Sequence, residues 1–124
     1  MKPTIIKANS INMKYTSERC FVGENYGSSD GKVSIAVATV KPGVTTVAHH
    51  LEDIEETYII TQGKGVMEVK GMEPAEVTVG DVVVIPDGVS QRIKNVGNCD
   101  LVFYCVCTPR FVAERYFSDE PAET

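Results

Sequence analysis

The chain has 124 residues, 43% hydrophobic and 23% charged, with a net charge of −5 and a pI near 5.0. That length suits one domain with one sizeable core, and an acidic balance without a basic run excludes nucleic acid and anionic membrane surfaces as partners. The first residues, Met1-Lys2-Pro3-Thr4-Ile5-Ile6-Lys7, lack the apolar run of a signal peptide, and no stretch reaches transmembrane length, so a cytoplasmic location is expected.

Short strands punctuated by glycine and proline dominate the pattern, with little helical periodicity. Residues 1–11 and 20–22 read as candidate edge strands, and Ser28 to Gly31 as a loop. Lys32 to Val40 alternates with apolar residues on both faces, which fits a strand covered on both sides. After the Lys41-Pro42-Gly43 turn, Val44 to His50 forms the next predicted strand. Thr57 to Gln62 and Val66 to Lys70 flank Gly63-Lys64-Gly65, a hairpin signal. Glu76 to Val79 is a short strand, and Val82 to Ile85 is a continuous apolar run expected to be fully buried. Pro86-Asp87-Gly88 turns the chain into Val89 to Lys94, and Leu101 to Cys107 completes the core strands. The residues after Phe117 read as a frayed polar tail. Many short strands at this spacing predict an all-β sandwich or barrel.

Four cysteines, Cys20, Cys99, Cys105 and Cys107, do not form a disulfide framework. Cys105 and Cys107 lie two apart along one predicted strand, too far apart for unstrained bridge geometry. They read as small buried hydrophobes, with a pocket-lining thiol as the alternative.

Two segments carry a joint signature. The first runs from Gly43 through His49, Leu51 and Glu56 to Gly63; the second runs from Gly80 through Pro86, Gly88 and Gln91 to Asn95. Their spacing resembles the paired motifs of the cupin superfamily, G-x5-H-x-H-x(3,4)-E-x6-G and G-x5-P-x-G-x2-H-x3-N. The closing Cys107-Thr108-Pro109-Arg110-Phe111 is similar to a group of small single-domain cupins of the cupin 2 type. The resemblance implies a double-stranded β-helix, or jelly-roll barrel. Residues 1–124 are read as one domain, with a barrel core at about 31–111, N-terminal edge strands and a short C-terminal tail. It also implies a homodimer, for which exposed edge strands at the N-terminus give a physical motive.

The motif assigns His49, Glu56 and Gln91 to metal-ligand positions, with Leu51 standing where a second histidine would be. Alternation along the strand turns His49 inward and His50 outward; a register slip by one residue would offer His50 and Glu52 beside Glu56 instead. One imidazole nitrogen with two oxygens suits a divalent ion such as zinc, iron, manganese or nickel. The same residues could equally form a hydrogen-bonded polar cluster with no metal. Leu51, Tyr58 and Ile60 are expected to line the pocket, and Glu56 is the candidate catalytic general base. Arg110 is a candidate partner for an anionic ligand or for a salt bridge. Two functions follow: a small metalloenzyme using Lewis-acid chemistry of isomerase, lyase or hydrolase type, or a metal-free domain that binds or senses a small molecule. Sugar-related or small carboxylate substrates enter only by analogy with other cupins.

Overall fold

The computed structural model describes residues 2–121. The strands are β1 (Lys14–Tyr15), β2 (Phe21–Gly27), β3 (Ser34–Val40), β4 (His49–Leu51), β5 (Glu55–Gln62), β6 (Lys64–Val69), β7 (Ala75–Thr78), β8 (Val82–Ile85), β9 (Gln91–Asn95), β10 (Leu101–Thr108) and β11 (Tyr116–Ser118). They form two antiparallel sheets, a six-stranded one in the order β1-β2-β3-β10-β5-β8 and a five-stranded one in the order β11-β4-β9-β6-β7. This is the all-β jelly-roll barrel expected from the sequence. No helix among the described residues is long and apolar enough to cross a membrane.

Alternation decides what fills the space between the sheets. On β10, Leu101 and Phe103 point inward and are at most 2% exposed, and they meet Val40 and Ile60 from the neighbouring strands and Ile93 from the opposite sheet. Removing a side chain of this size from water contributes about 1.5–3 kcal/mol. The β5–β6 hairpin turns on Gly63, whose φ of +87° lies in the left-handed region. A Cβ there would sit 2.8 Å from the Asp100 carbonyl oxygen, so only glycine fits. Asn95 is fully buried and staples the turn that follows it. Its Nδ2 donates to the Val40 and Cys99 carbonyls at 2.8 Å each, while its Oδ1 accepts from the Gly97 N–H at 2.9 Å.

The structure corrects four expectations. Residues 44–48 are not a regular strand: Thr46 exchanges bonds with Ile93 through its backbone N–H and its hydroxyl, and only His49–Leu51 form β4. The apolar run of β8 is not fully buried, because β8 is the edge of its sheet and leaves Val82 57% and Val84 55% exposed. Among the described residues, 2–11 form no strand; they hold a single 3-10 turn at Ala8–Ser10. Residues 118–120 of the C-terminal segment are not frayed. Tyr116, Phe117 and Ser118 pair with Leu51, His50 and His49. Asp119 N–H then donates to the Ala48 carbonyl at 2.8 Å, and Glu120 accepts from Ala48 N–H at 3.0 Å and pairs with Arg19 at 2.7 Å. The last three residues of the expected tail, 122–124, lie outside the described residues.

Candidate functional site

A cavity of about 290 Å³ lies between the sheets. Strand parity explains its walls: β5 contributes Glu56 and Tyr58, β4 contributes His49 and Leu51, and β10 contributes Phe103, Cys105 and Cys107. Ile60, expected to line the pocket, instead sits in the hydrophobic core at 1% exposure. His49 faces inward and is 3% exposed. His50 faces outward, where its Nδ1 lies 2.8 Å from Asp119 Oδ1 and its ring stacks on Phe117.

Gln91 joins the polar residues from behind. Its amide nitrogen lies 2.8 Å from His49 Nε2, 2.9 Å from the Tyr58 hydroxyl and 3.1 Å from Glu56 Oε1. The His49 Nδ1 is 2.8 Å from the Val47 carbonyl, which can only accept, so Nδ1 carries a proton. A neutral ring then leaves Nε2 as an acceptor, and the Gln91 NH2 turns toward it. Two amide hydrogens serve His49 and Glu56, while the Tyr58 hydroxyl donates to Gln91 Oε1 at 3.1 Å. The cluster is closed, and Gln91 is 1% exposed.

That closure bears on the expected metal. A divalent ion held by His49, Glu56 and Gln91 needs the Nε2 lone pair and an amide oxygen, and both are already engaged. Leu51 contributes no donor in the remaining direction. Among the described residues, no group of three or more His, Cys, Asp or Glu side chains is placed to hold a metal ion. As arranged, His49, Glu56 and Gln91 are engaged in hydrogen bonds with one another and with Tyr58.

Glu56 is the unusual group of the site. At 8% exposure its carboxyl is shielded from water, and this burial, with the nearby Glu18 charge, pushes its pKa from 4.5 up to about 7 despite hydrogen bonds from Cys107 and Gln91. Oε1 is held by Gln91, while Oε2 has only the Cys107 thiol, a weak donor, at 3.5 Å. Burial also raises the Tyr58 hydroxyl and the Cys105 and Cys107 thiols, and pushes Cys20 up to about 12. The pocket thiols are therefore neutral near pH 7, and all four cysteines are free.

Sequence reasoning missed Glu18, Glu24 and Tyr116 as lining residues. Val22 and Glu24 share one parity on β2, so alternation carries the signal for Glu24, whereas Glu18 lies in the turn before β2 and has no such signal. Tyr116 reaches the cavity because β11 pairs with β4, and its ring stacks on His49 with centroids 4.7 Å apart. Arg110 does not reach into the cavity; it pairs with Glu24 at 3.3 Å and donates to the Ser28 carbonyl. Arg92 and Lys94 face away from Gln91, as alternation predicts, and Arg92 pairs with Glu68.

Two antiparallel sheets with a cavity of this size between them define a small jelly-roll barrel. The cupin-domain family profile matches residues 36–107, and the chain belongs to the cupin family. An uncharacterised protein of Methanocaldococcus jannaschii, MJ1618, is 32% identical over 114 residues, covering 92% of this chain and 85% of its own. Among solved structures, a protein described as a predicted oxalate decarboxylase from Thermotoga maritima superposes with a TM-score of 0.78 at 24% identity, covering 86% of this chain and 99% of that one. The nucleoside dehydratase Pac13 superposes with a TM-score of 0.77 at 12% identity, covering 94% and 91%. At these identities the likenesses establish the fold and leave the chemistry to the residues of the site.

Proposed function

We propose that the barrel binds one small organic molecule with a mainly apolar body, and that Glu56 exchanges a proton with it near neutral pH. The observation that supports this is the buried Glu56 carboxyl, with one oxygen fixed by Gln91 and the other turned to the cavity with only a thiol beside it. A group that titrates near 7 is populated in both forms at neutral pH, so it can take a proton as carboxylate and return it as acid. That suits isomerisation, in which one residue removes a proton from one position and delivers it to another. Tyr58 and His49 act through Gln91 to hold the carboxyl in place.

The test is hydrogen–deuterium exchange into candidate small molecules in D2O, followed by NMR, with the native protein and Glu56→Gln. Exchange that depends on Glu56, with ligand binding retained in the variant, supports the proposal. Binding without exchange in the native protein would refute the proton-transfer role and leave the alternative, a recognition or sensing domain.

The homodimer and the cytoplasmic location belong to the same proposal. The exposed Val82 and Val84 on the β8 edge, beside half-exposed Ile59, supply an apolar face for a second copy. Four free cysteines suit a reducing compartment. Light scattering across a concentration series tests the dimer.

A further inference from the structure

The charge of the cavity wall narrows the ligand class. The lining carries the carboxylates of Glu18, Glu24 and Glu56 and contains neither lysine nor arginine. Arg110 neutralises Glu24 from outside at 3.3 Å. Glu18 has no lysine or arginine partner among the described residues. Its Oε1 lies 3.7 Å from His49 Nε2, which is an acceptor in the neutral ring, and its Oε2 lies 3.8 Å from the Cys20 sulfur. Glu56 Oε2 likewise meets only a thiol. Glu56 Oε2 thus faces the cavity with only a weak donor beside it, and Glu18, which the Tyr116 hydroxyl also approaches, has no lysine or arginine to offset its charge, so their remaining acceptor positions can take N–H or O–H groups from a ligand.

The rest of the wall fits the same guest. Tyr58, Phe103, Phe111 and Tyr116 line the cavity, and aromatic faces attract cations, more strongly when water is excluded. An anion would meet the Glu18 charge with no cation in the wall to offset it. This argues against the small-carboxylate substrates that analogy with other cupins suggests. At about 290 Å³ the cavity stands at the small end of ligand pockets, which limits the guest to a compact molecule.

We propose that the ligand is a small organic cation, with an ammonium group held by Glu18 and Glu56 and an apolar body packed against Phe103, Phe111 and Tyr116. The inference rests on the pocket reading above and adds the sign of the ligand's charge. It also assigns Glu18 as the residue that sets specificity.

The experiment compares three probes of one shape, benzylamine, benzyl alcohol and benzoate, by titration of the amide spectrum of the full chain and of Glu18→Gln at pH 7.5. Benzylamine is expected to bind native protein at least about tenfold more tightly than benzyl alcohol, with no saturation by benzoate. In the variant, the preference for amine over alcohol should fall below about threefold while alcohol binding is retained. Benzyl alcohol or benzoate binding native protein as tightly as the amine overturns the cation inference and leaves the pocket reading standing. A preference unchanged in Glu18→Gln overturns the role of Glu18. No shift at cavity residues with any probe overturns both the inference and the pocket reading.

Discussion

Glu56→Gln should stabilise the protein above neutral pH and do progressively less as the pH falls. Glu56 ordinarily titrates at 4.5 and is pushed up to about 7 in the fold, chiefly by burial and then by the Glu18 charge. Between these values the folded chain holds a proton that the unfolded chain has lost. The stability contributed by the protonated form is therefore complete below pH 4.5 and is lost as pH rises through about 7. A rise of this size corresponds to roughly 3 kcal/mol, reached only when the buried carboxyl is fully ionised. Glutamine has nearly the shape of the protonated acid and carries no charge at any pH, so it escapes the loss. Urea unfolding of both proteins at pH 5, 6, 7 and 8 should show the variant gaining about 2.5 kcal/mol relative to native across the series, with the slope m unchanged. Titrations elsewhere in the chain occur in both proteins and cancel in the difference. Parallel stability curves would refute the reasoning, because they would mean that Glu56 is ionised in the fold at little cost.

The remaining predictions concern the supports of the site and the fold. Gln91→Leu leaves His49 Nε2, the Tyr58 hydroxyl and Glu56 Oε1 without their buried partner. It should cost roughly 2–4 kcal/mol in urea unfolding, and a loss under about 0.5 kcal/mol would contradict the closed cluster. The double variant Leu51→His with Gln91→His supplies the imidazoles the motif lacks, and it should gain a zinc-dependent rise in Tm that native protein does not show. An equal rise in native protein would mean that the amide cluster opens for a metal. Gly63→Ala forces a side chain into the left-handed region and against the Asp100 carbonyl. It should cost at least about 2 kcal/mol by thermal unfolding, and a neutral result would refute the steric argument.

What was legible in the sequence follows from how locally each feature is determined. The barrel could be read from glycine and proline spacing, because turns are set by a few adjacent residues. The inward placement of His49, Glu56 and Gln91 could be read from period-two alternation anchored at Gly43 and Asn95. Burial along β8 could not, since a run of four apolar residues looks the same at the centre of a sheet and at its edge. Ile60 shares the parity of Glu56 and Tyr58, yet it lies farther along β5, where the core replaces the cavity. The C-terminal strand was the hardest to see. Ser118, Asp119 and Glu120 have the composition of a tail, and they are ordered by distant partners at His49, His50, Ala48 and Arg19. The donor set could be read residue by residue, but its assembly into an amide-centred cluster depends on the Val47 carbonyl fixing the His49 ring. Nothing in the motif spacing encodes that bond.

The central claim is that Glu56 is a buried acid held by an amide and poised near neutrality, rather than a permanently charged ligand. A carbon-13 NMR titration of its side-chain carboxyl, assigned with Glu56→Gln and carried out on protein purified without added metal, tests this directly. A single transition at about pH 7 is expected, well above the ordinary glutamate value of 4.5. A transition below about pH 5 would mean that the carboxylate is ionised throughout the neutral range, as a metal ligand or a solvated group would be, and would contradict the account.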